Sequence, residues 1–331
     1  MRNRFSVILG LSIMILFVLG ITLSAVPQEK TYELKVSMVI TEDDTIYKGY
    51  EKFKEGVEKR TNGKIKVELY PAGILGGDEE ILEQIALGAG ICVNTDAGRL
   101  GVWVPEIGIL LCPYLTDTVE EMQKLLKSDL AKEWFEKLRK EKGYVVLAFN
   151  WYAGGRHFIT KKPISKPEDL EGLKIRTPGA PVWQETIRAL GATPVALPWT
   201  EVYTALQQGV IDGAEAQHPA TYGSKLYEVA KYITLTGHIQ LWNAPVVGEK
   251  WFNQLPPEYQ QILFEEAEKA GDYATQLLLD SLDELEAKMT AEGAIISEVD
   301  TKPFKERAEA VYQKLGYEEL RRQIQDFLKK Q

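Results

Sequence analysis

Apolar residues alternate with polar ones along Tyr32-Glu33-Leu34-Lys35-Val36-Ser37-Met38-Val39, a period of two that predicts a first strand. A polar turn occupies residues 41–45, and then the period changes. Ile46, Tyr50, Phe53 and Val57 fall on one face of a predicted helix over 46–61, with Lys48, Glu51, Lys52, Glu55 and Lys59 on the other. Asn62-Gly63 stops that helix. Residues 64–70 return to alternation, with Ile65, Val67 and Leu69 inward. Gly73, Gly76 and Gly77 form a loop, Asp78 is the expected N-cap of a helix over 79–87, and 91–95 reads as a third strand. This strand–helix order predicts a mostly parallel α/β layout.

A second cycle follows a long predicted helix at 119–142. Residues 144–149 read as a strand, 174–177 as a short strand, 181–190 as a helix and 193–196 as a strand. A helix over 200–208 and a strand over 211–216 complete it. Two α/β cycles suit two lobes. From Pro256 to about Glu292 the pattern is helical throughout, far longer than the usual ~10–14 residues, with Gly271 as a point of bending. A helix of that length predicts a spine crossing both lobes. Amphipathic helices over 303–315 and 317–330 end the chain and leave self-association as a homo-oligomer open.

Composition narrows the function. The chain has 331 residues, 45% hydrophobic and 26% charged, which is ordinary for a globular protein of about two domains. Lys and Arg number 39 against 48 Asp and Glu, a net charge of −9. An acidic surface fits the phosphate backbone poorly, so nucleic acid is not an expected partner. The N-terminus adds a compartment. Arg2 and Arg4 precede an apolar run from Phe5 to Leu23, the layout of an export signal, assigned to residues 1–26. Small residues place cleavage after Ser24 or Ala25. The run is also near the length of a membrane anchor. Both readings put the folded part outside the cytoplasmic membrane, in the periplasm. Cys92 and Cys112 are the only thiols; export permits a disulfide, burial as free thiols is the alternative, and geometry decides.

Catalytic patterns are missing. There is no G-x-S-x-G elbow, no H-E-x-x-H, no P-loop, and no G-x-G-x-x-G at a strand–helix turn. His157, His218 and His238 lie far apart in sequence and read as structural residues. Two arginines stand out instead. Arg156 follows Gly154-Gly155, and Arg176 ends the strand Gly172-Leu173-Lys174-Ile175-Arg176 before Thr177-Pro178-Gly179. A guanidinium pairs bidentately with a carboxylate, and the end of a strand in an open α/β sheet faces the ligand crevice.

The stretch Pro167-Glu168-Asp169-Leu170-Glu171-Gly172-Leu173-Lys174-Ile175-Arg176-Thr177-Pro178-Gly179 carries a resemblance. So do Leu190-Gly191-Ala192-Thr193-Pro194 and Pro198-Trp199-Thr200-Glu201-Val202-Tyr203, continuing to Asp212-Gly213-Ala214-Glu215. Together they resemble the solute-binding proteins of TRAP (tripartite ATP-independent periplasmic) transporters, in their dicarboxylate-binding branch. Further matches, Leu75-Gly76-Gly77, Pro113-Tyr114 and Leu226-Tyr227-Glu228-Val229-Ala230, extend it in order over nearly the whole chain after the export signal.

The resemblance implies an α/β, two-lobed periplasmic-binding-protein fold with a central ligand cleft and a long spine helix. It implies lobe I at 27–153 plus 242–281 and lobe II at 154–241 plus 282–331. It implies no enzyme and no cofactor, capture of a small carboxylate ligand, and delivery to TRAP transporter membrane subunits. A ligand-sensing protein for a receptor and an ABC-type importer's binding protein are the alternatives. By family position Arg176 is the expected carboxylate clamp, Arg156 a second ligand contact and Trp199 a stacking surface. Ala216 departs from the pattern, because many relatives carry a ligand-binding Asn there; Gln217 or His218 would have to substitute. Glu215 supplies only the acidic half of an acidic–aromatic pair found in metal-binding relatives, so no metal is expected. Asp96 and Arg99, after the third strand, and Glu79, opening a helix, are the expected first-lobe contacts. Trp242 and Asn243 lie in a segment expected to cross between lobes, as ligand contacts or as packing.

Overall fold

The computed structural model describes residues 30–330. The export-signal assignment lies outside them. Among the described residues no helix is long and apolar enough to cross a membrane.

One mixed sheet organises the chain. Its strands are β1 (Tyr32–Ser37), β2 (Ile65–Tyr70), β3 (Ile91–Asp96), β4 (Tyr144–Val146), β5 (Trp151–Thr160), β6 (Lys174–Thr177), β7 (Thr193–Ala196), β8 (Gly213–Ala216), β9 (Tyr232–Gly248) and β10 (Ile295–Glu298). The path is β2-β1-β3-β9-β5-β8-β6-β7, with β4 and β10 paired to β9. β2, β1 and β3 run parallel, as do β8, β6 and β7. Between these groups β3/β9, β9/β5 and β5/β8 are antiparallel. The mostly parallel expectation therefore holds for each flanking group and fails at the centre. β5 and β9 run through the middle of the path, and the lobe boundaries expected at 153/154 and 241/242 fall inside them.

Helices pack on this sheet for local reasons. Asp44 accepts from the Ile46 amide at 2.9 Å and starts the helix Thr45–Arg60, whose Lys59 and Arg60 sit at its negative end. Its Gly49 lies so close to the spine helix Pro257–Ala291 that a Cβ would come within 2.8 Å of both the Ala274 Cβ and the Trp151 ring. Arg60 then joins Glu265 and Glu266 of the spine at 2.6 and 2.7 Å. The spine has 35 residues and so runs about 50 Å. Gly271 allows a close approach: a Cβ there would sit 2.3 Å from Asn150 Oδ1.

Three other expectations are corrected. The helix predicted over 119–142 is two, Val119–Leu126 and Asp129–Lys142, because Ser128 Oγ accepts from the Ala131 amide at 3.2 Å and starts the second. Asp78 is the first residue of the helix Asp78–Leu87 and Gly77 is its cap, which frees the Asp78 carboxylate from capping. The strand predicted over 144–149 ends at Val146. Cys92 and Cys112 are both free and buried.

Candidate ligand-binding site

A cavity lies where the strand ends of the two parallel groups face each other. Arg176, Arg156, Trp199, Gln217, Asp96 and Arg99, separated by up to 121 positions in sequence, all line it. Glu79 does not; its side chain is largely exposed and reaches Arg99 at 2.8 Å.

Arg156 comes from β5, at a place where the β5/β9 register shifts twice, between Tyr152 and Gly154 and between Arg156 and Phe158. Such bulges re-aim a side chain. Gly154 permits it with φ +114, and a Cβ there would press on Gln217. The guanidinium is buried and its charge is paired. Nε donates to Glu215 Oε2, Nη2 to the Glu215 carbonyl, and Nη1 to Gln217 Oε1 at 2.7 Å. It also lies 4.7 Å from the centre of the Trp183 ring. Glu215 is fully buried and its other oxygen accepts from Thr177 Oγ1 at 3.0 Å. The Arg156 charge is thus neutralised within the protein.

Arg99 is neutralised too. Asp96 holds Nη1, Asp78 lies 3.3 Å from Nη2, and Glu79 takes Nε. Burial works against its charge, but Asp96, Asp78 and Glu79 together outweigh burial and hold the guanidinium above its usual range.

Arg176 differs. It is 2% exposed, and no carboxylate among the described residues pairs with it. Nε and Nη2 donate to the Leu197 carbonyl at 2.9 and 2.7 Å, and Nη1 has no partner among the described residues. The Trp199 ring centre lies 5.3 Å away, and the Trp199 indole is fixed by Ser224 Oγ at 3.1 Å. Burial pushes Arg176 down to about 9, with Glu215 only partly offsetting. Among the described residues of the cavity it is the one arginine without a counter-ion.

The opposite wall is acidic and amidic. Asp78 is 6% exposed, and burial pushes it up to about 6 although Arg99 opposes this. Asn94 accepts from the Tyr50 hydroxyl at 3.3 Å, and its NH₂ has no partner among the described residues. Asn243, from β9, lines the cavity and its side chain makes no hydrogen bond among the described residues. Its neighbour Trp242 packs on Tyr152 at 4.8 Å instead. Trp183 donates to Asp96 Oδ1 at 3.1 Å, joining the two sides of the cavity.

Asp78, Asn94 and Trp183 were not among the expected contacts. Asp78 had a sufficient explanation as a cap, and Trp183 lies on a helix whose apolar face accounts for it. Ala216 is buried in the core; of the two residues after it, Gln217 lines the cavity, while His218 turns to Glu286 at 2.8 Å. The three histidines converge nearby. The His157 and His218 rings are 4.8 Å apart, and His238 Nε2 lies 4.0 Å from Glu215. Burial first, then neighbouring cations, pushes His238 to about 3 and His157 well below its usual value, so both are neutral packing groups.

Comparison with known proteins places this geometry. The family described as bacterial extracellular solute-binding protein, family 7, matches residues 36–319. A TRAP periplasmic solute-binding protein of Escherichia fergusonii, solved in an apo open state, is 41% identical over 90% of this chain and 99% of its own, with a TM-score of 0.77. Another, from Ochrobacterium anthropi with bound L-fuconate, is 35% identical over the same shares, with a TM-score of 0.87. The C4-dicarboxylate-binding periplasmic protein DctP of Rhodobacter capsulatus is 33% identical over 77% of each chain.

Proposed function

The chain belongs to family 7 of the bacterial extracellular solute-binding proteins, the TRAP periplasmic binding proteins, and we propose that it captures a small organic acid and delivers it to a TRAP-type membrane transporter. The observation that carries this reading is Arg176, buried, cavity-facing and without a carboxylate partner. A buried cation with no counter-ion is costly unless a ligand brings one. A ligand carboxylate would take the free Nη1, in a site from which water is largely excluded, where a charge-assisted bond is strong.

The remaining residues have distinct roles. Glu215 and Gln217 hold Arg156 so that its outer N–H groups face the ligand. Trp199 and Trp183 offer flat apolar surfaces beside the two guanidiniums. Asp96 and Arg99, tied to Glu79, form the opposing wall. The lobes are 27–153 with 242–281 and 154–241 with 282–331, and they close by rotation about the crossing strands β5 and β9. Two observations support a closed arrangement here. The Trp183–Asp96 bond spans the cavity, and the ligand-bound relative superposes better than the open one despite its lower identity. The family consists of binding proteins, and in our reading this chain performs no chemistry: it is exported on residues 1–26 and works by capture and release alone.

Thermal unfolding against a panel of small carboxylates tests this. A ligand present at about 1,000 times its Kd stabilises by about 4 kcal/mol. At least one acid is expected to raise the transition, and neutral sugars of the same size are expected not to. A panel in which neutral sugars stabilise and acids do not overturns the proposal.

A further inference from the structure

Relatives of nearly equal identity carry different acids, a hydroxylated monoacid in one and a C4-dicarboxylate in another, so identity does not choose between them. The charge layout of this cavity does. We infer that Asp78 is a specificity-determining residue that rejects a second carboxylate, so that the cavity takes a polyhydroxylated monocarboxylate and not a plain dicarboxylate. The inference rests on the reading of Arg176 as the carboxylate clamp.

A dicarboxylate brings two charges and needs two uncommitted cations. Arg156 is spent on Glu215, and Arg99 on Asp96, Asp78 and Glu79. Only Arg176 remains. A second carboxylate would have to sit against Asp78 and Asp96, both more than nine-tenths buried. Like charges in such a setting repel strongly.

Hydroxyl groups fit the same wall. A hydroxyl can donate to a carboxylate oxygen and accept from an amide NH₂. Asp78 has no hydrogen-bond donor from the protein other than its ion-pair partner Arg99 among the described residues. Asn243 is 7% exposed and Asn94 6%; among the described residues the whole side-chain amide of the first and the NH₂ of the second have no partner. Asp78 and Arg176 line the same cavity, so one small molecule can reach both. A site built to bond hydroxyls discriminates strongly against an analogue that lacks them, because its buried polar groups are then left unpaired.

Calorimetric titration of the full chain with two sets of probes tests this: five- and six-carbon aldonates, and unsubstituted dicarboxylates of four to six carbons. Asp78→Asn is run in parallel. Asp78 does not cap its helix, and the asparagine keeps the shape. The wild type is expected to bind at least one aldonate more than about 100-fold more tightly than any dicarboxylate, the ceiling for a hydroxyl-reading site being about 10⁴–10⁵-fold. Asp78→Asn is expected to gain at least about tenfold on dicarboxylates, the effect of removing one like charge, while weakening on the aldonate. A wild type that binds a dicarboxylate as tightly as any aldonate overturns the inference and leaves the organic-acid reading standing. Equal discrimination by Asp78→Asn and wild type removes Asp78 from the role. Failure of every acid in both sets overturns the inference and the Arg176 clamp together.

Discussion

Replacing Arg176 by methionine should have opposite effects on the empty and the loaded protein. In the empty protein the guanidinium is 2% exposed, has no carboxylate partner among the described residues and is pushed down to about 9, chiefly by burial. One pKa unit corresponds to about 1.4 kcal/mol, so holding this charge costs a few kcal/mol. Methionine removes that cost. It also removes two bonds to the Leu197 carbonyl, worth about 1–3 kcal/mol in total, at a residue that is not fully buried. The two terms nearly cancel with a small surplus, so empty Arg176→Met should unfold at the wild-type temperature or up to a few degrees above it. An ordinary core defect of this size would instead lower the transition.

In the loaded protein the sign reverses. Losing one partner of a buried ion pair costs about 3–5 kcal/mol, or about 100- to 5,000-fold in Kd. The assay is thermal unfolding with and without the best acid from the panel, together with calorimetric affinity. Wild type should gain several degrees from ligand, and Arg176→Met close to none. An empty variant that melts well below wild type yet binds within about threefold would refute the reasoning. Arg176 would then be a structural residue and the clamp would lie elsewhere.

Other perturbations probe the frame around the site. Asp44 is 2% exposed and burial pushes it up to about 7 from 3.8, so between those values the native state binds more protons than the unfolded chain. Its contribution to stability is therefore lost as pH rises from about 4 through 7. Asp44→Asn keeps the cap and should exceed wild type in denaturant titrations at pH 8 while matching it near pH 4; a wild-type advantage at pH 8 would contradict this. Gly271→Ala would gain about 1 kcal/mol of helix propensity, yet its Cβ would lie 2.3 Å from Asn150 Oδ1 and 2.7 Å from the Trp151 ring. Trp151 is held by the Ala267 carbonyl at 3.0 Å and cannot retreat freely, so a net loss of about 1–3 kcal/mol is expected, read as a lower melting temperature. A stabilised variant would show that the spine does not press on β5.

The flanking α/β groups were legible in the sequence chiefly through their amphipathic strands and helices. β1 and β2 alternate, and the helix Thr45–Arg60 places its apolar residues on one face. The crossing strands β5 and β9 were not. Trp242 through Gly248 are buried without a break, so there is no period of two to read. β9 also contains Gly237 and Pro245, residues that argue against a strand interior. Pro245 is tolerated because its carbonyl still accepts from the Leu147 amide at 2.9 Å, while its missing donor falls opposite Asn94. Tertiary burial overrode the local signal at the place where the two halves of the cavity meet.

The same limit governs the site. An arginine ending a strand beside Pro-Gly stands out in sequence, and so does one after a glycine pair. With 48 acidic residues in the chain, pairing is the default expectation for any arginine. Nothing in the spacing distinguishes Arg156 and Arg99, which are paired, from Arg176, which is not. That distinction depends on Glu215 meeting a residue 59 positions earlier, and on Asp78 meeting one 21 positions later. It appears only when β5, β8 and the helix Asp78–Leu87 are brought to one cavity. The residue types that could bind an acid were therefore readable from the chain, whereas the single uncompensated charge on which our acid-binding proposal rests is a property of the fold.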